Sequence, residues 1–438
     1  MKVVRLDELS PAERQALLRR SAIPDPDVRT KAAAICRDVK LRGWDAIEDH
    51  ARAFGGGLGR VTAAAADRAL ASLDNDLRSA LDRAIAAIRA FHSTQLPKSL
   101  TVATGPGVEI TRRWAPLRRI GAYIPGGTAP LPSTALMTIV PAALAGVNEI
   151  VAVSPAPDSG GSNPVVIAAA ALAGATEIWT MGGAQAIAAL AYGAGQLERV
   201  QKIVGPGNAW VTAAKLAVFG DVAIDLPAGP SEVLVLADHT ADPHLVAVDL
   251  LCQAEYGPDS PAVLVTTDVT MPDRVLAAID DLLPSLKRRS LLKRTLDDNG
   301  LAVITSSHDE GLVFAQDYAA EHVSIATSDP EADAARVTSA GSVYIGPWAA
   351  ESAGDYATGA NHVLPTGGLA AACSPLQVED FGSWRQEQRL TRQGLEALLP
   401  TITTLAEAEG LTAHARAATL RFEEQKARVG GDESSRNR

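Results

Sequence analysis

The chain has 438 residues, which is too long for one ordinary hydrophobic core and suits two sizeable domains with appendages. Its 47% hydrophobic and 21% charged residues are typical of a soluble globular protein. The formal net charge is -11, from 40 Lys and Arg against 51 Asp and Glu. This acidic balance argues against nucleic acid or an anionic membrane as the main partner and leaves a small-molecule substrate open.

The cysteines and the first residues of the chain argue against two further classes. Cys36, Cys252 and Cys373 are odd in number and widely spaced, which predicts neither a disulfide framework nor a Cys-rich zinc site. Residues 1–20 are charged throughout and lack the apolar stretch of a signal peptide, and no apolar run is long enough to cross a bilayer. We therefore expect a cytoplasmic protein with no membrane partner.

The predicted elements change in character along the chain. Residues 1 to about 100 are predicted to be helical, because apolar residues recur at helical spacing. From residue 118 short apolar runs alternate with Ala-rich helical stretches, and these runs are EIVAVSP, EIWTMGG, KIVGPGN, EVLVLAD, AVLVTTD, LAVITSS, HVSIAT and SVYIG. Such alternation predicts parallel sheet covered by helices on both faces.

The predicted fold class is α/β, with two Rossmann-like parallel-sheet domains and helical N- and C-terminal extensions. One α/β unit is expected over 123–230, and the second over 231–374 with 19–122 completing it. Residues 1–18 are expected to be a helical extension, and 375–438 a helical segment short of strands.

Three glycine clusters each follow a strand-like run and precede a helix-like one: Gly126-Gly127, Gly182-Gly183, and Gly205-Pro206-Gly207. This is where an open α/β sheet offers backbone N–H groups and a helix N-terminus to a phosphate. No cluster is a full G-x-G-x-x-G fingerprint. A dinucleotide site and a set of tight turns therefore both stay open on the glycines alone.

Several residues suited to acid–base or metal chemistry lie in the second half of the chain. Glu321 and His322 open a predicted strand, where a carboxylate and an imidazole could supply two bases of different strength. Others lie in helices or Gly-rich loops without a metal-binding spacing, namely Gln253, Asp355, His362, Glu409 and His414. The other histidines sit in ordinary contexts and are expected to be structural, namely His50, His92, His239, His244 and His308.

Long blocks of the sequence resemble the histidinol dehydrogenase family. The blocks are GAYIPGGTAPLPSTALM, MGGAQAIAALAYG, KIVGPGNAWVTAAK, DLPAGPSEVLVLAD, QAEYGPDS, AAEHVSI, ESAGDYATGANHVLPTGG and GLTAHARAATLR. The resemblance implies a zinc- and NAD-dependent dehydrogenase, with NAD on 123–230 and substrate and metal on the unit of 19–122 and 231–374.

The resemblance also implies roles for individual residues. NAD would contact Tyr123, Gln185 and Asn208. The substrate pocket would contain Ser133, Ser231, Gln253, His322, Asp355, His362, Glu409 and His414. The zinc ligands would be Gln253, Asp355 and His414, and the family's fourth ligand is a histidine where this chain has Tyr256.

Tyr256 differs from the histidine that the family has at this metal-ligand position. Residues three apart share a helix face, so Tyr256 is expected to point at the site with Gln253. A protonated phenol, with an ordinary pKa of about 10, is a poor zinc ligand. A metal could deprotonate it, a water could fill the position, or metal binding could be weakened or lost. We expect a working but altered metal site.

The implied reaction is the oxidation of L-histidinol to L-histidine through a bound aldehyde, the last step of histidine biosynthesis. Zinc would hold the substrate's amine and hydroxyl; His322 would be the base for the alcohol, and Glu321 would activate water for the aldehyde. His362 and Glu409 would bind the polar end of the substrate. Glu409 and His414 would come from the partner of a homodimer that exchanges its 375–438 segments, so that the active sites are shared.

Two alternatives remain open on the sequence. One is a paralogous NAD-dependent dehydrogenase of another small polar alcohol, such as a sulfonated or amino diol, which Tyr256 favours. The other is a non-catalytic dimeric binding protein, which the presence of both Glu321 and His322 disfavours.

Overall fold

The structure, a computed structural model, describes residues 1–126, 130–156 and 162–433, with side chains up to Phe422. The chain divides into two compact units. The large unit comprises Met1–Leu96 and Pro116–Phe381, and the small unit comprises Pro97–Ala115 and the chain from Gly382.

The strands are β1 (Lys2–Arg5), β2 (Gly59–Arg60), β3 (Leu100–Gly105), β4 (Val108–Pro116), β5 (Arg119–Tyr123), β6 (Glu149–Ser154), β7 (Glu177–Thr180), β8 (Lys202–Val204), β9 (Ala223–Ile224), β10 (Val233–Ala237), β11 (Ala262–Thr266), β12 (Gly300–Ile304), β13 (His322–Ala326), β14 (Ser342–Ile345) and β15 (Gly382–Leu390). The helices are α1 (Pro11–Leu18), α2 (Pro26–Arg42), α3 (Trp44–Phe54), α4 (Ala63–Ala71), α5 (Asn75–His92), α6 (Pro132–Ala145), α7 (Pro164–Ala173), α8 (Gly183–Tyr192), α9 (Ala209–Val218), α10 (Pro243–Ala254), α11 (Met271–Leu282), α12 (Arg289–Asn299), α13 (His308–Tyr318), α14 (Pro330–Ala334), α15 (Glu351–Tyr356), α16 (Arg392–Ala408) and α17 (Thr412–Glu433).

The first sheet of the large unit has the strand order β2-β7-β6-β5-β8-β9. Its strands pair in parallel except for the short edge strand β2, which is antiparallel to β7. All five residues of β5 are buried, as expected for a central parallel strand covered on both faces. Helices α2, α3, α8 and α9 contribute to one apolar core against this sheet.

The second sheet has the order β1-β12-β11-β10-β13-β14 and is parallel throughout. Strands β10 and β11 are completely buried. Helices α10, α11 and α12 pack on one face, and α13 packs on the other. The expected pair of Rossmann-like parallel sheets is therefore confirmed.

The first hundred residues are distributed differently from our expectation. Within 1–18 the chain forms an edge strand, because Lys2–Arg5 pairs with β12, and is not only a helical extension. Helices α2 to α5 contact helices of the first sheet, whereas we expected 19–122 to complete the second unit. The apolar face of a helix predicts that this face is buried, but it does not predict which sheet the helix packs against. The edge strand was not predicted, because a four-residue strand with one buried residue shows no alternation of apolar and polar residues.

The small unit contains a three-stranded sheet in the order β15-β4-β3, followed by α16 and α17. Strands β3 and β4 form an antiparallel hairpin that turns at Gly107, whose φ is 71°. The expectation of a helical, nearly strand-free segment over 375–438 is thus corrected, since Gly382–Leu390 is a nine-residue strand. Its sequence GSWRQEQRL is polar and mostly not buried, so it lacks the apolar signal of a core strand.

Among the described helices, none combines the length and the apolar character needed to cross a membrane.

Candidate active site

The residues that the resemblance assigns to NAD lie at or just beyond the carboxyl ends of three parallel strands of the first sheet. Tyr123 ends β5, Gln185 lies in the first turn of α8 after β7, and Asn208 precedes α9 after β8. The backbone N–H of Gly183 donates to the Tyr123 hydroxyl at 3.3 Å. The Asn208 side chain caps α9 by accepting from two backbone N–H groups. This edge of the first sheet has the geometry that suits a dinucleotide phosphate.

The turn at Gly205 depends on a buried ion pair that the sequence analysis did not single out. The Lys215 ammonium donates to the carbonyls of Gly205 and Leu226, each at 3.0 Å, and pairs with Asp225. Asp225 in turn accepts from the Gly205 N–H at 2.7 Å. Gly205 has a φ of 107°, and a Cβ there would overlap the Tyr123 carbonyl oxygen. A lysine within the apolar helix run AAKLAV was the available signal.

Of the predicted glycine clusters, only Gly127 lies outside the described residues.

Glu321 and His322 lie at the amino end of the second sheet. Glu321 immediately precedes β13 and is 5% exposed, and its Oε2 accepts from the Ser231 hydroxyl at 2.5 Å and from the Glu232 N–H at 3.0 Å. Burial raises the pKa of Glu321 well above its ordinary value. The carboxyl group is therefore held in one orientation by its neighbours and is a stronger base than an exposed glutamate.

His322 opens β13 and is 1% exposed. Neither of its ring nitrogens has a hydrogen-bond partner within the described part of the chain. Burial lowers the pKa of His322 to about 4, so the imidazole is neutral near pH 7. A neutral imidazole with an unused nitrogen is able to accept a proton from a substrate hydroxyl.

Asp355 and Glu351 bring two further carboxylates to this region from α15. Asp355 is 3% exposed and accepts a hydrogen bond from the Tyr256 hydroxyl. Glu351 is 1% exposed, and its Oε1 lies 3.6 Å from His322 Nδ1. Burial, reinforced by the charge of Asp355, raises the pKa of Glu351 well above its ordinary value. The sequence analysis missed Glu351; its only signal was a carboxylate one helical turn before Asp355.

His362 lies between elements that belong to the two sheets. Its Nε2 is 3.3 Å from the Thr134 hydroxyl on α6, and its Nδ1 is 3.2 Å from the Asp355 carbonyl oxygen. Next to it, the buried Asn361 amide donates to the Met137 carbonyl oxygen at 2.9 Å. Ser133 is the second residue of α6 and adjoins Thr134. The loop at 361–362 thus contacts both α6, which belongs to the first sheet, and Asp355 on α15 beside the second sheet.

The residues predicted to bind zinc fit a zinc ion poorly as this chain presents them. The Gln253 side chain is fully buried, and neither of its amide atoms has a partner among the residues described. The Tyr256 hydroxyl donates its proton to Asp355, and desolvation beside Asp355 raises the pKa of this phenol further. The Tyr256 hydroxyl is therefore hydrogen-bonded to an Asp355 oxygen that a metal would otherwise use. The tyrosine as a whole remains 41% exposed. Within the described residues no cluster of three or more His, Cys, Asp and Glu side chains is spaced to hold a metal.

Glu409 and His414 belong to the small unit. Glu409 follows α16 directly, and His414 is the third residue of α17. Both side chains are exposed on that unit. Their part in the active site remains a proposal.

The family model described as histidinol dehydrogenase matches residues 18–422. The histidinol dehydrogenase of Haloarcula marismortui is 45% identical over 426 residues, which are 97% of this chain and 100% of that protein. The chain belongs to the histidinol dehydrogenase family. The enzyme of that name from Photobacterium profundum is 42% identical over 97% of this chain and 96% of its own length. The crystal structure of histidinol dehydrogenase from Elizabethkingia anophelis superposes with a TM-score of 0.90 at 37% identity, covering 97% of this chain and 99% of that one.

Membership settles the class of the protein. The family consists of NAD-dependent oxidoreductases, so the predicted family, the α/β fold and the assignment as an NAD-linked enzyme are confirmed. The structural match extends over both sheets and the small unit, because it covers nearly the whole chain.

Proposed function

We propose that this chain oxidises L-histidinol to L-histidine through a bound aldehyde, with two NAD consumed in succession, as the last step of histidine biosynthesis. The observation that carries the proposal is the buried pair at the start of β13. His322 is neutral and has unused ring nitrogens as far as the structure describes its surroundings, and Glu321 is fixed by Ser231. The family and the near-complete coverage of its relatives support the same substrate.

In the first oxidation His322 would take the proton of the substrate hydroxyl. The carbon that carries this hydroxyl gives its hydride to NAD, so the alcohol becomes an aldehyde, NAD is reduced, and His322 becomes an imidazolium. Burial disfavours the imidazolium, which makes His322 ready to release the proton to water once the aldehyde has formed. The second oxidation would need a second NAD at the same site, which Tyr123, Gln185 and Asn208 would hold.

In the second oxidation Glu321 would activate a water molecule. The carboxylate takes one proton from water while the water oxygen adds to the aldehyde carbon. Glu321 then returns this proton to the former carbonyl oxygen, which gives a gem-diol and restores the carboxylate. One hydroxyl of the gem-diol then gives its proton to the neutral His322 while the carbon gives its hydride to the second NAD, which leaves a carboxylic acid that ionises. The hydrogen bonds from Ser231 and from the Glu232 N–H keep the Glu321 carboxyl group in place for this step.

Zinc is not assigned a step in this chain. In the family as a whole the metal would act as a Lewis acid on the substrate oxygen. Here Tyr256 engages Asp355, so we assign substrate orientation to Ser133, Ser231, Asp355 and His362, with Gln253 able to offer its buried amide. Zinc occupancy is proposed to be weak.

We further propose a homodimer in which Glu409 and His414 of one chain complete the active site of the other. Both residues are exposed on the small unit, where a partner chain could reach them. Glu409 would accept from the imidazole end of histidinol. The enzyme would act on a small-molecule alcohol, and we propose the cytoplasm as its location.

A measurement of NADH formation tests this function. Purified protein is expected to form two NADH for each L-histidinol, with L-histidine as the product on chromatography. A panel of other small polar alcohols, including sulfonated and amino diols, serves as the comparison. Background rates with L-histidinol but clear turnover of another alcohol would assign the chain to the paralogous dehydrogenases, which the Tyr256–Asp355 hydrogen bond favours. NAD binding without turnover of any alcohol would support the non-catalytic binding protein.

A further inference from the structure

Glu351, the first residue of α15, is a buried carboxyl group without a hydrogen bond. It is 1% exposed, and neither side-chain oxygen has a hydrogen-bond partner anywhere in the described ranges. Burying such a group without a partner destabilises a fold. The mechanism derived above gives Glu351 no role, so its position demands a separate explanation.

The Glu351 carboxyl group faces the proposed base. Glu351 Oε1 lies 3.6 Å from His322 Nδ1. Glu321 Oε2 lies 3.8 Å from the same nitrogen, but it already accepts from the Ser231 hydroxyl and the Glu232 N–H. Of these two carboxyl groups, only Glu351 has two oxygens without a hydrogen-bond partner among the described residues. It is therefore the one that is able to accept a hydrogen bond from the imidazole.

We infer that Glu351 is the positioning residue of His322: its Oε1 accepts the Nδ1–H bond and thereby leaves Nε2 as the nitrogen that takes the substrate proton. The inference rests on the proposed function, in which His322 is the base. A separation of 3.6 Å is longer than a formed hydrogen bond. Catalytic hydrogen bonds are often long in the absence of substrate, and this one is expected to shorten in the substrate complex. Either protonation state of a carboxyl group has an oxygen that accepts this bond.

Fixing the tautomer matters because a neutral imidazole has one accepting nitrogen. If Nδ1 keeps the proton and donates a hydrogen bond to Glu351, Nε2 is the accepting nitrogen in every molecule of the enzyme. When Nε2 takes the hydroxyl proton, the positive charge that appears on the ring faces the Glu351 oxygen. Glu351 itself takes no proton, since the imidazolium later returns its proton to water from Nε2.

The test compares two substitutions of Glu351 with a control on the same helix. Glu351→Met removes the acceptor at similar volume and is expected to lower kcat for L-histidinol about 100-fold or more, with little change in KM. Glu351→Gln keeps an acceptor oxygen and is expected to retain clearly more activity than Met. The exposed neighbour Ser352 provides the control Ser352→Ala, which is expected to match the native chain. Thermal unfolding should show that Glu351→Met is at least as stable as the native protein, because an unpartnered buried carboxyl group is removed. A residue with a purely structural role would instead lower the stability when it is replaced.

A double substitution separates this inference from the proposed function. In a His322→Asn background, Glu351→Met should lower the residual rate no further, since it acts through His322. Native activity in Glu351→Met, losses that multiply in the double variant, or equal rates for the Met and Gln variants would each overturn the positioning role. If His322→Asn alone still oxidises the alcohol at the native rate, the base assignment of the proposed function fails instead.

Discussion

Tyr256 is expected to weaken zinc binding, because its hydroxyl competes with the metal for Asp355. Its hydroxyl donates to the buried Asp355 carboxylate, and a hydrogen bond to a charged group contributes about 1.5–3 kcal/mol. Since 41% of Tyr256 is exposed, we take the lower end of this range, which corresponds to about a tenfold change in a binding constant. Tyr256→Phe should therefore tighten zinc binding about tenfold, because Asp355 no longer has to give up this bond.

Tyr256→His should tighten zinc binding further, because it adds an imidazole ligand to the freed carboxylate. Competition with a chromophoric chelator measures the zinc Kd of the native chain and both variants, independently of catalysis. Activity with L-histidinol should rise in Tyr256→His if the chain is a slightly altered histidinol dehydrogenase. One zinc Kd shared by all three proteins would refute the reasoning, because it would show that Tyr256 does not compete for a metal ligand.

Three further predictions concern catalysis, assembly and pH. His322→Asn should cripple alcohol oxidation, whereas Glu321→Gln should mainly slow oxidation of supplied aldehyde; equal damage to both half-reactions by Glu321→Gln contradicts the division of labour. Mixing inactive His322→Asn and His414→Asn chains should restore partial activity, and verified heterodimers without activity would exclude shared sites. Burial lowers the pKa of His322 from 6.5 to about 4 in the folded protein. Between pH 6.5 and about 4, His322 is therefore protonated in the unfolded chain but neutral in the folded one. Stability should fall by up to about 3 kcal/mol as the pH drops through that window, and His322→Asn should flatten this part of a urea-denaturation pH series.

The sequence was sufficient to predict the buried central strands of the fold. Central strands such as EVLVLAD and AVLVTTD are continuous apolar runs, and both are completely buried in the second sheet. Edge strands are different, because they bury little and need few apolar residues. KVVR at β1 and GSWRQEQRL at β15 therefore gave no recognisable pattern, although one completes the second sheet and the other the sheet of the small unit.

The candidate site was predictable where its residues are consecutive or resemble a family block. Glu321 and His322 are adjacent in the sequence, and the structure places Ser231 and Glu351 beside them. Glu351 was missed because a carboxylate in a six-residue helix has no periodicity, and its contact with His322 exists only after folding. The hydrogen bond between Tyr256 and Asp355 was missed for the same reason: the departure at Tyr256 was visible, but its partner was not.

The pairing of β1 with β12 also affects how the protein is synthesised. Val3 lies opposite Ala302, so the second sheet gains its edge strand only after about 300 residues have been made. At about 5–20 residues per second, Lys2–Arg5 waits on the order of 15–60 s for its partner. The first sheet, whose strands lie between Gly59 and Ile224, is complete well before then. Lys2 and Arg5 place charge at both ends of the waiting strand, which discourages its pairing with another nascent chain.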